Sequence, residues 1–184
     1  MKKIISILLG ICLSGGVFAQ TQLKIISFNI HAGYDAPIAD IAAFIKEQDP
    51  DIVALQEVEY YTNRTGANTP RPINNNINML NELAYLTGMH GMFYVTLEKC
   101  YGGKFGNAIL SKHSFDETRR IMLPCAAGTE QRNAAIADIK LPDGTEFSIV
   151  DTHIDMSKLD NGMSQIKEVN RIPQLGKHLS LIHI

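Results

Sequence analysis

The chain has 184 residues, 45% of them hydrophobic and 20% charged, which suits one globular domain with a sizeable core and excludes an intrinsically disordered chain. A formal net charge of -2 and the lack of any Lys/Arg block argue against a dedicated nucleic-acid-binding module, although a local basic groove remains open. No internal repeat, low-complexity stretch or linker divides the chain.

The first residues read as a targeting signal. Lys2-Lys3 is a charged start, Ile4–Leu13 an apolar run too short to span a bilayer, and Ser14–Ala19 a small-residue cleavage site. Residues 1–19 are therefore expected to be a signal peptide cut before Gln20, which places the mature protein in the periplasm or outside the cell. Ile11 stands before Cys12 where a lipoprotein signal would carry a small residue. Cys100 and Cys125 remain, too few for a disulfide framework; an oxidising compartment permits a bridge between them, with two free, half-buried thiols as the preferred reading.

Leu23–Ile30 is apolar and β-branched and predicts a first strand with Asn29 near its exit. His31–Pro37 is a loop. Ile38, Ile41, Ala42 and Ile45 recur at helical spacing over Ile38–Glu47, and Asp40 suits the positive end of that helix. Behind Pro50, the run Ile52-Val-Ala-Leu55 reads as a strand buried on both faces, passing straight into Gln56-Glu57 with no turn signal between. Strand, helix and strand argue an α/β layer with two parallel neighbours. Asn29 and Glu57 then fall together at the carboxyl ends of these strands, where α/β sheets bind ligands.

Thr62–Asn76 is a long polar loop. Ile77–Thr87 resumes helical spacing, with Gly88 as its natural stop. Met92–Leu97 predicts a strand, Tyr101–Gly106 a glycine turn, Asn107–Ser111 a buried strand, and Arg120–Leu123 a short edge strand. Asn133–Lys140 and Phe147–Thr152 predict a hairpin turned by Asp143-Gly144. Its second strand delivers Thr152-His153-Ile154-Asp155. Gln165–His178 reads as a weaker helix interrupted by Pro173. On residue type alone, His153 reads as a structural histidine; beside Glu57 and Asn29 it joins a site.

Five pieces in order carry a resemblance: Ser27-Phe-Asn-Ile-His31, Leu55-Gln-Glu-Val58, Gly106-Asn-Ala-Ile-Leu-Ser111, Arg132 before Ala134-Ala135, and Thr152-His-Ile-Asp155. They resemble the endonuclease/exonuclease/phosphatase superfamily of DNase I-like nucleases, abasic-site endonucleases, sphingomyelinases and inositol polyphosphate 5-phosphatases. The resemblance runs from about Leu23 to Asp155. It implies a four-layer α/β sandwich: two packed mixed, mostly antiparallel sheets flanked by helices, with the active site at one end. It also implies metal-dependent hydrolysis of a phosphodiester or phosphomonoester by in-line attack of water. Mg²⁺, with Mn²⁺ or Ca²⁺ as alternatives, is the expected cofactor, because such ions take one or two carboxylates plus water and phosphate. Glu57 is then the metal ligand, Asn29 serves the metal and the nucleophilic water, and His153 contacts the phosphate as a catalytic group. Arg132, Asp155, Asn107, His31 and Arg64 are secondary candidates for substrate binding. For Arg132 a surface ion pair is an equal alternative, Asp155 could instead cap the next helix, Asn107 could tie loops together, and for His31 and Arg64 a solvated surface role is the simpler account.

The resembling pattern continues beyond His153 with a Gly-Asp-Phe-Asn-like segment and a Ser-Asp-His-like end, and neither has a counterpart here. Leu179–Ile184 resembles the translation of a sequencing-library adaptor. The expectation is an incomplete domain over residues 20–178, its C-terminal part missing, followed by an artefact at 179–184, the whole inactive or nearly so as it stands. The complete protein is expected to be a monomer without an obligate protein partner. Its substrate is a phosphate ester of a nucleic acid, a phospholipid head group or a sugar. The neutral-to-acidic balance leans slightly away from a nuclease, and a sugar or inositol phosphatase stands as the alternative to a nuclease or phospholipid diesterase. The rival of another class is a non-catalytic exported binding protein on the same scaffold.

Overall fold

The computed structural model describes residues 23–63, 76–172 and 178–183. The expected signal peptide, Arg64 and most of the long polar loop lie outside the described residues, as does Pro173.

Strand β1 (Ile25–Asn29) leads through a short 3-10 turn (His31–Gly33) into helix α1 (Ile38–Gln48). The helix buries Ile38, Ile41, Ala42 and Ile45, the spacing its sequence shows, and stops where Asp49 turns left-handed at φ 46°. Strand β2 (Ile52–Tyr60) follows and pairs parallel with β1, so Asn29 and Gln56 sit opposite each other at the same end. Ile52, Val53, Ala54 and Leu55 are fully buried, each large aliphatic chain contributing about 1.5–3 kcal/mol. Helix α2 (Met79–Thr87) is capped at its start by the Asn78 side chain and at its end by Gly88 in the left-handed region.

Strands β3 (His90–Cys100) and β4 (Gly103–Ser111) form a hairpin whose two-residue turn, Tyr101-Gly102, has positive φ at both positions. Such a turn matches the twist of the strands it joins. The predicted glycine turn over Tyr101–Gly106 is thus only two residues long, and Gly103–Gly106 already belongs to β4. The first sheet has the order β1-β2-β4-β3.

The second sheet runs β5-β6-β7-β8, from β5 (Phe115–Met122), β6 (Asn133–Lys140), β7 (Glu146–Thr152) and β8 (His178–His183). The Asp143-Gly144 turn joins β6 and β7 as its sequence predicts, and β5 is an edge strand longer than the predicted Arg120–Leu123. The helix expected over Gln165–His178 is displaced: α3 spans Leu159–Val169, and the backbone of His178–His183 pairs parallel with β7.

The two sheets face each other across an apolar layer that includes Ile52, Tyr94 and Ile109 from one and Ala135, Ala137, Ile139, Phe147 and Ile149 from the other. Helices α1 and α2 cover the outer face of the first sheet around Val53, Leu55 and Leu110. Helix α3 covers the second through Val169, against Ala134, Ile136 and Val150. Helix, sheet, sheet and helix make four layers, the α/β sandwich the sequence resemblance implies.

Candidate active site

The site begins with a break in alternation. In β2, Leu55 faces the helices and Gln56 the other sheet, so strict alternation would send Glu57 under the helices. The register between β2 and β4 instead shifts between Leu55 and Val58. Gln56 and Glu57 together lie opposite Asn107, a β-bulge that re-aims one side chain. Val58 takes the apolar position, and Glu57 is left at the sheet end with φ 57°, a backbone conformation that costs a non-glycine residue about 1–3 kcal/mol.

Asn29 arrives from the parallel neighbour. Its amide Nδ2 donates to Glu57 Oε1 at 2.8 Å, and its Oδ1 accepts from the backbone N–H of His31 at 2.8 Å. The carboxylate is therefore held by a neutral donor. His153 comes from the second sheet, just past the end of β7. Its Nδ1 lies 3.8 Å from Glu57 Oε1, with side-chain exposures of 20% and 22%. That is too long for a hydrogen bond. The buried Nδ1 has no hydrogen-bond partner among the described residues. Burial, and then the positive charge of Arg132, hold the imidazole below its ordinary pKa, against the pull of the Glu57 and Asp155 carboxylates. His153 is thus neutral at pH 7 and can offer either ring nitrogen.

Asn29, Glu57 and His153 come together as the sequence predicts; the secondary candidates divide. The half-buried guanidinium of Arg132 binds Glu130 at 2.8 Å, and its buried Nε has no partner among the described residues. It acts on His153 through its charge. Asn107 is buried in the middle of β4 rather than in a loop, opposite the bulge. Asp155 accepts from the Ser157 N–H at 2.9 Å and Asn161 Nδ2 at 2.7 Å, so it organises the turn into α3 rather than capping it. The Ser157 bond, above all, holds its carboxyl below the usual range. His31 turns its ring outward to Asp35, 2.9 Å away, and is exposed.

The sequence reading assigned no role to the buried polar residues Gln56, Asp151 and Asn133. Gln56 Nε2 bridges Asp151 Oδ1 at 2.5 Å and Ser27 Oγ at 3.2 Å, and Asn133 Nδ2 reaches the Tyr94 and Val95 carbonyls at 3.1 and 3.0 Å. The signal was present: Phe147, Ile149 and Asp151 share one face of β7, so a carboxyl stands where alternation asks for an apolar side chain.

Among the described residues no group of three or more His, Cys, Asp or Glu side chains comes together as a metal cluster. One half-buried carboxylate with a neutral amide beside it still fits a hard divalent cation, which fills its remaining positions with water and substrate oxygen.

Two facing mixed sheets between helices, with a carboxylate, an amide and an imidazole at one end, define an α/β sandwich of the DNase I-like kind. The chain belongs to the endonuclease/exonuclease/phosphatase family, whose profile matches residues 26–155. Its fold is similar to an endonuclease/exonuclease/phosphatase from Beutenbergia cavernae, at 21% identity and a TM-score of 0.64, covering 80% of this chain and 43% of that one. It is also similar to a family protein from Leptotrichia buccalis, at 16% identity and a TM-score of 0.65, covering 87% and 66%. The human nocturnin catalytic domain with bound sulfate anion gives 18% identity and a TM-score of 0.57, covering 88% and 62%. The chain thus spans between 43% and 66% of the length of these structures. None of the curated proteins compared with it matches.

Proposed function

We propose that the chain carries the metal- and phosphate-facing half of the active site of a divalent-metal-dependent phosphoester hydrolase. The observation that supports this most directly is the meeting of Glu57 with His153, 3.8 Å apart and donated by opposite sheets, with Asn29 bonded to the same carboxylate oxygen. A carboxylate, a neutral imidazole and a nearby guanidinium suit a cation and a tetrahedral oxyanion side by side. The sulfate held by the nocturnin domain on a similar fold fits that reading.

In this proposal Glu57 and the solvent around it hold the cation, with Mg²⁺ first and Mn²⁺ or Ca²⁺ as alternatives. Once bound, the ion supplies charge neutralisation at the phosphoryl oxygens and the leaving group. Asn29 fixes the carboxylate's orientation through its 2.8 Å bond. His153, neutral and half-buried, donates a ring N–H to a phosphoryl oxygen. Arg132 adds positive potential behind it. Among the described residues none is assigned the task of deprotonating the attacking water. The substrate class is a phosphate ester, and the place of action, from the signal-peptide reading of residues 1–19, is the periplasm or the exterior.

The test is hydrolysis of bis(p-nitrophenyl) phosphate and p-nitrophenyl phosphate by the protein encoded by the full reading frame, with Mg²⁺ and with EDTA. Glu57→Ala is expected to abolish turnover, and His153→Ala to lower kcat by about 10²–10³. Turnover insensitive to both EDTA and Glu57→Ala would overturn the proposal. Retained phosphate binding with no turnover in the unaltered protein would instead favour the binding-protein reading.

A further inference from the structure

Each of the three site residues follows closely on a member of one buried hydrogen-bonded group. Asn29 lies two residues after Ser27, Glu57 directly after Gln56, and His153 two residues after Asp151. Gln56 Nε2 donates to both Ser27 Oγ and Asp151 Oδ1, so a single amide spans β1, β2 and, across the sandwich, β7. Gln56 and Asp151 have no exposed surface. Gln56 is also the other residue of the bulge that turns Glu57 out.

Backbone pairing fixes β1 against β2, and hence Asn29 against Glu57. Among the described residues no backbone ladder joins the first sheet to the second. Their relative position at the site rests on side chains: Asn133 reaches the Tyr94 and Val95 carbonyls of β3, and the Gln56–Asp151 bond joins β2 and β7, the strands that deliver Glu57 and His153. From this we infer that Gln56 and Asp151 are positioning residues: their hydrogen bond pins the β2 bulge to the second sheet and so sets the Glu57 carboxylate for cation binding. This rests on the reading of Glu57 as the metal-holding residue.

The chemistry of the pair supports a positional role over a purely stabilising one. Burying a carboxyl and an amide is costly, and among the described residues Gln56 Oε1 and Asp151 Oδ2 are both buried without a hydrogen-bond partner. An apolar pair of the same volume would hold two sheets together at least as well. Burial pushes the Asp151 carboxyl up to about 8, against the opposing hydrogen bond from Gln56. The group is therefore neutral at pH 7, and asparagine is its close isostere, with the same acceptor oxygen for Gln56.

The test is Mn²⁺ binding to the 184-residue chain, followed by titration calorimetry at pH 7, with thermal unfolding recorded for every variant. Gln56→Met keeps the volume and removes the donor; it is expected to weaken Mn²⁺ binding at least about 10-fold, the scale of a lost residue behind a metal ligand. Asp151→Asn is expected to bind within about 3-fold of the unaltered chain, since the acceptor survives. Tyr94→Phe removes a different inter-sheet hydrogen bond, to the Ile136 carbonyl at 3.0 Å, and is expected to lower Tm while leaving Mn²⁺ affinity in place. Should Gln56→Met fail to fold, Gln56→Asn, which shortens the amide's reach by one methylene, is read the same way. The inference is overturned if Gln56→Met binds Mn²⁺ as tightly as the unaltered chain while Glu57→Ala does not bind. It is equally overturned if Tyr94→Phe weakens binding as much as Gln56→Met. If Mn²⁺ binding survives Glu57→Ala unchanged, the metal reading of Glu57 fails first and this inference falls with it.

Discussion

Replacing Asp151 with asparagine should stabilise the protein relative to the unaltered chain by an amount that grows as the pH rises. Asp151 is fully buried, and desolvation lifts its carboxyl from an ordinary 3.8 to about 8 in the folded state. Between those two values the folded chain holds a proton that the unfolded chain has released. The stability Asp151 contributes is thus fully present below about pH 4 and is lost as the pH climbs through about 8. The loss amounts to about 1.4 kcal/mol per pH unit, hence roughly 3 kcal/mol between pH 5 and pH 7. That is a large part of the 5–15 kcal/mol typical of a domain. Asp151→Asn carries no such proton, so urea unfolding of both proteins at pH 5, 6, 7 and 9 isolates the effect while all other titrations cancel. The variant's advantage should grow by about 3 kcal/mol from pH 5 to 7 and level off above pH 8. A difference that stays flat from pH 5 to 9 would show that Asp151 is ionised in the folded chain, and the reasoning from burial would fail.

His153 should titrate below 6.5 when its ring protons are followed by NMR, because burial and Arg132 both oppose its charge; Glu57→Gln should lower the midpoint further, since Glu57 pulls it upward. With the folded value depressed, His153 contributes stability fully present above about pH 6.5 and lost as the pH falls through the folded midpoint; a midpoint above 6.5 would contradict the burial argument. At the bulge, Glu57→Gly should be more stable than Glu57→Ala by about 1 kcal/mol in thermal unfolding, because only glycine sits at φ 57° without strain. Equal stabilities would mean the bulge relaxes when the carboxylate is removed. Gly106→Ala should destabilise by about 1–3 kcal/mol or more in urea, since a Cβ there would lie 2.1 Å from the Tyr94 carbonyl oxygen; an unchanged midpoint would show that β3 and β4 can part at no cost.

Much of this architecture can be read from the residues because the elements around the site have clear periods. The i, i+3, i+4, i+7 stripe of Ile38–Ile45 is the buried face of α1, and the apolar run Ile52–Leu55 is a strand buried on both sides. Helix α3 is misplaced for a physical reason. Its buried side consists of Asn161, Gly162, Gln165 and Val169, so polar residues occupy the positions an apolar stripe would mark. Gly162, which reads as a helix breaker, is instead where the helix approaches the Asp155 carbonyl too closely for a Cβ, which would meet that oxygen at 2.6 Å. Asn161 and Gln165 are spent on Asp155, through its carboxylate and its backbone N–H. The bulge leaves no local signal either: nothing in Leu55-Gln-Glu-Val58 says that two residues will share one partner, and that alone decides where Glu57 points.

The layer between the sheets changes character along the strands, and this gradient explains how one sandwich end can carry a site. At the end remote from Glu57, the facing positions are Ile52, Ile109, Ile139 and Phe147, large and apolar. Toward the site, the same faces pass through Ala54, Ala135 and Ala137 to Gln56, Asn107, Asn133 and Asp151, all buried. Dispersion and the hydrophobic effect grip the remote end without directional demand, since apolar contact tolerates small slides of one sheet on the other. Hydrogen bonds fix distance and angle, so the polar end is where sliding is resisted. Glu57 and His153 arrive from opposite sheets, and at 3.8 Å their mutual field changes steeply with separation. The chain therefore places its costly buried polar groups where position matters most. It leaves the bulk of its cohesion to the far end, which can carry the stability lost to a strained glutamate and a desolvated carboxyl.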